Sequence, residues 1–207
     1  MKIGIIGAGR IGEAEARLFV QAGHEVALSN SREPSTLAPL VTDIGHGVRA
    51  IGPAEAAKFG DVVLLAIPFG AYAALPAEQL QDKIVIDASN YYPQRDGQID
   101  MGEDTSSEFL ARRLPGARVV KAFNTIYWER LRDEGHPDMP LDQRLAVFVA
   151  SDDVEAKDVV QALIEESGLA AVDTGSLADG GRRQQPGSDI YNVPLTAREA
   201  RERLSPA

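Results

Sequence analysis

The chain contains no cysteine. That excludes a disulfide framework, a thiolate nucleophile and any cysteine-based metal site. Histidine is scarce too, with three residues. There is no metal-ligand cluster, no Ser-His-Asp set and no Tyr-x-x-x-Lys pair on a helical pattern. Apolar runs are short, and none approaches the ~20 residues a membrane helix needs. The N-terminus carries no signal-peptide pattern and goes directly into an apolar run, so a cytoplasmic location is expected. Positive charge is in deficit: 21 Lys and Arg face 31 Asp and Glu, a net charge of −10. That balance disfavours nucleic acid and anionic membranes as partners. What remains is an ordinary soluble composition, 44% hydrophobic over 207 residues, enough for one domain or one domain with a small appendage.

What is present begins at the N-terminus. Lys2-Ile3-Gly4-Ile5-Ile6 reads as a strand, Gly7-Ala8-Gly9-Arg10-Ile11-Gly12 follows without a spacer, and residues 13–21 read as a helix. The three glycines have separate jobs. Gly7 permits a tight turn, Gly9 lets a pyrophosphate approach the backbone, and Gly12 lets helix and strand pack closely. The helix N-terminus offers free N–H groups to the phosphates. Strand, glycine turn and helix in this order predict a dinucleotide site.

The next strand, 24–29, ends in Asn30-Ser31-Arg32. An acidic residue here would hold the ribose 2′-OH of NAD. A hydroxyl and a guanidinium suit the 2′-phosphate of NADP instead, although Glu33 follows directly. Further strands are expected at 48–51, 61–67, 83–87, 118–122, 144–150 and 169–173, with short helices between them. His24 is expected as a surface turn residue and His136 on the side away from the cofactor. Three loops fall at the carboxyl edge of the predicted sheet, where open α/β sheets bind ligands. They are Pro68-Phe69-Gly70 after Ala66-Ile67, Ala88-Ser89-Asn90-Tyr91 after Asp87, and Phe123-Asn124-Thr125. Pro68 and Phe69 are candidates to line the nicotinamide half. Thr105-Ser106-Ser107-Glu108 is a capping box.

The expected fold is α/β: a Rossmann-type, doubly wound, mostly parallel sheet over residues 1–173. Residues 174–207 form a short C-terminal extension that completes the substrate site. This tail is rich in turn formers and Arg, with one short helix capped by Thr196 and Glu199. Candidate cofactor contacts are Gly7, Ala8, Gly9, Arg10, Ile11, Gly12, Asn30, Ser31, Arg32, Ala66, Ile67, Pro68, Phe69, Ser89, Asn90 and Asn124. No side chain is assigned a catalytic or metal-binding role. A platform with so little acid–base equipment suits a reaction that needs two reactants stacked face to face.

The set Gly7 to Gly12, Asn30-Ser31-Arg32, Ala66-Ile67-Pro68, Asp87-Ala88-Ser89-Asn90, Val120-Lys121-Ala122-Phe123-Asn124-Thr125 and Asp173-Thr174-Gly175-Ser176-Leu177 resembles the NADPH-dependent reductases of the deazaflavin coenzyme F-420. The likeness runs in order through most of the chain. The module is also similar to the cytosolic domain of transmembrane ferric reductases and to the cofactor domain of pyrroline-carboxylate reductases. The resemblance implies direct hydride transfer between nicotinamide C4 and deazaflavin C5, with no obligatory acid–base side chain. It also implies NADP(H) as cofactor, F-420 as co-substrate and a homodimer whose C-terminal part helps build the site. The segment Arg182-Arg183-Gln184-Gln185-Pro186-Gly187 departs from the family's helical C-terminus. Two other readings stay open: a reductase of another acceptor (flavin, quinone or ferric chelate), and a non-catalytic NADPH-binding regulatory protein.

Overall fold

The structure, a computed structural model, describes residues 1–205. Alternating apolar runs and short helices build one eight-stranded sheet. The elements are β1 (Lys2–Ile6), α1 (Arg10–Gln21), β2 (Glu25–Ser29), α2 (Ala38–Ile44), β3 (Val48–Ala50), α3 (Pro53–Phe59), β4 (Val62–Leu65) and β5 (Ile84–Asp87). They continue with α4 (Pro93–Asp96), α5 (Ser106–Arg113), β6 (Arg118–Lys121), α6 (Trp128–Asp133), β7 (Ala146–Ala150), α7 (Val154–Glu166), β8 (Ala170–Gly175), α8 (Asp179–Arg183) and α9 (Ala197–Leu204).

Strand order is β3-β2-β1-β4-β5-β6-β7-β8. The first six run parallel, β7 meets β6 antiparallel through Lys121 and Ala150, and β8 runs parallel to β7. Order 3-2-1-4-5-6 with helices on both faces is the doubly wound dinucleotide-binding arrangement. Its central strands are buried on both sides, and so read as continuous apolar runs: Val62–Leu65 is buried at every position.

Two cores lie on opposite faces. One holds Ile3, Ile5, Phe19, Leu28 and Phe123. The other gathers Leu65, Phe69, Tyr72, Phe109 and Leu177. A third, smaller cluster differs from expectation. Ile190, Leu195, Ala197 and Ala200 from the tail cover Ala146, Phe148, Ala170 and Val172 of β7 and β8. The tail is anchored there by backbone pairing between Leu145 and Thr196.

Caps follow the sequence. Thr105 with Glu108 and Thr196 with Glu199 form capping boxes, and Asp153 accepts the Ala156 N–H at the start of α7. The helix expected from Glu13 begins three residues earlier, at Arg10, directly on the glycine turn. His24 is corrected: it is buried, its Nδ1 lies 3.2 Å from the N-terminal amine and its Nε2 3.2 Å from a Glu166 carboxylate oxygen. The turn places its ring against Phe19 instead of in solvent. Among the described residues no helix is long and apolar enough to cross a membrane.

Candidate functional site: a cleft along the carboxyl edge of the sheet

The glycine turn divides its labour as steric arithmetic requires. Gly7 has φ of +114°, and an added Cβ would lie 2.3 Å from the Ala66 carbonyl oxygen. A Cβ on Gly12 would lie 1.9 Å from the Gly7 carbonyl oxygen, so helix and turn touch only because Gly12 has no side chain. Gly9 is the opposite case: its φ is −80°, any residue can adopt it, and no protein atom lies within 4 Å of a Cβ built there. The space over Gly9 is open, at the N-terminus of α1, where a pyrophosphate has N–H groups and a positive dipole end to meet.

Two cavities flank that turn. The larger, of 430 Å³, is lined by Gly7 to Gly9, Asn30 to Arg32, Pro53 and Ala66 to Pro68. No Asp or Glu lines it. Asn30 shapes this arm: its Oδ1 accepts from the Arg32 N–H at 2.9 Å and its Nδ2 donates to Thr36 Oγ1 at 3.1 Å. Ser31 and Arg32 are exposed. The smaller cavity, 240 Å³, is lined by Gly9 to Ile11, Ala66 to Pro68, Ala88 to Asn90, Tyr92 and Arg95. The two share Gly9 and Ala66 to Pro68, so they form one cleft with two arms.

Most of the sequence-designated residues therefore line one cleft; three do not. Gly12 lies beneath the turn. Phe69 is buried among Tyr72, Tyr91 and Phe109 and supports the loop from behind. Asn124 is buried one layer back: its Nδ2 donates to Asn90 Oδ1 at 3.0 Å and to the Gln184 carbonyl at 2.8 Å, and Asn90 Nδ2 donates to the Asn124 carbonyl at 2.8 Å. Asn124 Oδ1 is left buried without a partner.

Sequence reasoning missed a polar cluster under the second arm. Asp87 and Lys121 face each other in the β5–β6 register, both fully buried, 3.1 Å apart. Asp87 Oδ1 accepts from the Ser89 N–H (3.0 Å), Ser89 Oγ (2.7 Å) and Tyr72 Oη (2.8 Å). Its Oδ2 accepts from Ser107 Oγ at 2.8 Å, and Lys121 Nζ also donates to the Ser89 carbonyl. Burial pushes the Asp87 carboxyl up, but the Lys121 charge and the hydroxyls outweigh it and hold it below its ordinary range. Burial lowers Lys121, opposed by Asp87. Burial, then the Asp87 charge, raises the Tyr72 phenol well above its usual value. A signal was available: a single charge closes each of two otherwise apolar strand cores, Ile84–Asp87 and Val119-Val120-Lys121.

The tail reaches the same arm. The hydroxyls of Tyr92 and Tyr191 hydrogen-bond to each other, and Asn90 Nδ2 lies 3.4 Å from Tyr191 Oη. Arg10 and Arg95 sit over the rings of Trp128 and Tyr92 at 5.2 and 5.0 Å. Leu177 is buried, and its carbonyl accepts from Thr105 Oγ1. Asp96 ties the loops together by accepting the N–H groups of Gly70 and Tyr92.

Fold and cleft together define a dinucleotide-binding protein of the Rossmann class. A family model described as "NADP oxidoreductase coenzyme F420-dependent" matches residues 2–91. Protein SMa0349 of Sinorhizobium meliloti is 32% identical, superposes with a TM-score of 0.82 and is covered, like this chain, over 95% of its length. A candidate F420-dependent NADP-reductase of Arthrobacter sp. FB24 is 27% identical with a TM-score of 0.73, covering 87% of this chain and 88% of that one. Metalloreductase STEAP3 of Rattus norvegicus is 31% identical over 86% of this chain. The chain spans only 34% of that protein's length. The chain belongs to the family of NADP oxidoreductases that the family model describes.

Proposed function

We propose that this protein transfers a hydride between NADPH and a planar redox cofactor, with the deazaflavin coenzyme F-420 as the partner. The observation that carries the cofactor half is the open space over Gly9 between two arms of one cleft. The larger arm takes the adenosine. Ser31 and Arg32 face the 2′-phosphate there, and no carboxylate lines the arm to repel it. The smaller arm takes the nicotinamide, which when bound supplies the hydride. Its lining includes the polar Ser89, Asn90 and Tyr92 and the apolar Ile11, Ile67 and Pro68. These residues orient and exclude water; none of them needs to move a proton for a face-to-face transfer.

We further assign residues 174–207 to the acceptor side, since Tyr191 and Gln184 reach Asn90 and Asn124 there. Family resemblance supports a cytoplasmic homodimer, and light scattering at micromolar concentration tests the dimer. The likeness to a metalloreductase supports a second acceptor class, ferric chelates. Stopped-flow mixing separates the readings. Bound NADPH is expected to be oxidised fastest by F-420. Oxidation by a ferric chelate or a flavin but not by F-420 would replace the acceptor. Tight NADPH binding with no oxidation by any of them would leave a regulatory module.

A further inference from the structure

We propose that the buried Asp87–Lys121 pair is a positioning device: it grips the backbone of Ser89 at both its N–H and its carbonyl and so fixes the Ser89–Asn90 wall of the smaller arm. The grip is visible atom by atom. The Ser89 N–H and hydroxyl are held by the carboxylate at 3.0 and 2.7 Å, and its carbonyl is held by the Lys121 ammonium. The next residue, Asn90, inherits that orientation and is locked in turn to Asn124.

The carboxylate is itself referenced to the rest of the fold. Tyr72, in the turn after β4, reaches one oxygen, and Ser107, in the first turn of α5, reaches the other. Lys121 closes β6. Three elements therefore aim one residue, Ser89. Stability alone gives no reason for such a pair, because a well-packed apolar pair of similar volume is often as stable or more so. An apolar pair would, however, leave the Ser89 N–H and carbonyl without these partners, and the wall would lose its fixed aim. Charge-assisted hydrogen bonds to both the N–H and the carbonyl of one residue are the stronger and more directional solution.

This inference rests on the reading that the smaller arm takes the nicotinamide half. The test uses two ligands: NADPH, which would fill both arms, and adenosine 2′,5′-bisphosphate, which would fill only the larger one. Calorimetry gives both affinities, and the fluorescence of bound NADPH reports how rigidly the nicotinamide is held. The double variant Asp87→Leu/Lys121→Met removes both charges together. It is expected to bind the bisphosphate within about twofold of the parent. NADPH should weaken by about tenfold or more, and its fluorescence enhancement should be lost.

Unchanged NADPH affinity and fluorescence in the folded double variant would overturn the inference, as would equal losses for both ligands. Should that variant not fold, Ser107→Ala decides in its place. It removes only the bond on the far side of Asp87, and a selective loss of NADPH fluorescence is expected. No loss in Ser107→Ala would overturn the inference. Failure of the underlying reading looks different: the parent protein would then bind NADPH no better than the bisphosphate and show no enhanced fluorescence.

Discussion

The two arms of the cleft are built on opposite principles. The larger arm holds its charge at the surface: Arg32 and Ser31 stand exposed on a turn that Asn30 braces through two hydrogen bonds. The smaller arm hides its charge: Asp87 and Lys121 are buried beneath the lining and hold it through Ser89. An exposed charge is free to change partners and is screened within ~8 Å at physiological salt. A buried one is rigid, nearly unscreened and expensive to leave alone. The first arrangement suits recognition of a phosphate that marks the cofactor. The second suits holding a ring where an error of a fraction of an ångström matters.

The largest effect should come from breaking the buried principle. Lys121→Met alone leaves Asp87 charged and unpaired in the core, which costs about 3–5 kcal/mol. Thermal unfolding should show a loss far beyond that of any Arg32 variant; a melting point within about 1 °C of the parent, under ~0.5 kcal/mol, would show that the core pair is not an obligatory unit.

Next come the glycines at the junction of the arms. Gly12→Ala places a Cβ 1.9 Å from the Gly7 carbonyl oxygen, a clash with backbone that no side-chain rotation relieves. It should cost roughly 3 kcal/mol, or about 6–12 °C in melting temperature for a chain of this size. Gly9→Ala should do the reverse. Its Cβ meets no protein atom, so the melting temperature of the free protein should hold while NADPH weakens at least about tenfold, ~1.4 kcal/mol. Equal melting losses in the two variants would contradict the division of labour in the turn.

These glycines also show what the sequence made legible. A position that tolerates only glycine is a local steric fact, so the fingerprint and the strand before it pointed to the edge where the cleft lies. The Asp87–Lys121 pair was hidden because it exists only through the β5–β6 register, across a long stretch of intervening chain. The tail was hidden for another reason. Ile190, Leu195, Ala197 and Ala200 are scattered among turn residues with no period, yet they meet as a patch on β7 and β8. Phe69 was placed at the right edge but faces the core: the residue type identified an aromatic at the loop and could not say which way it turned.

Arg32 tests the exposed principle. Removing a hydrogen bond to a charged group costs roughly 1.5–3 kcal/mol, so Arg32→Ala should weaken NADPH by about 10- to 150-fold and leave NADH nearly unchanged. Ser31→Ala should act in the same direction but less. The loss should shrink as salt rises. A loss of equal size for NADPH and NADH would mean that Arg32 holds the adenine or the turn, not the phosphate.

The smallest expected effect concerns a second buried carboxyl that follows neither principle. Glu15, on the helix shared by both arms, is as buried as Asp87, but neither of its oxygens has a partner. Burial alone acts on it and raises it well above its ordinary value, where Lys121 and the hydroxyls bring Asp87 down. The folded protein therefore binds the Glu15 proton more tightly than the unfolded chain does. Below the unfolded value both states are protonated and the group is neutral for stability. As pH rises above about 4.3, the ordinary glutamate value, the unfolded chain releases the proton first, and stability falls until the folded value is reached. Glu15→Gln keeps the shape and removes the proton linkage. It should leave stability near the parent's at pH 4 and raise the melting temperature at pH 7, by about 2–4 °C for each kcal/mol recovered. A glutamine variant that is less stable at pH 7 than at pH 4, relative to the parent, would show that Glu15 is charged and paired in the folded protein. The contrast with Asp87 would then be lost.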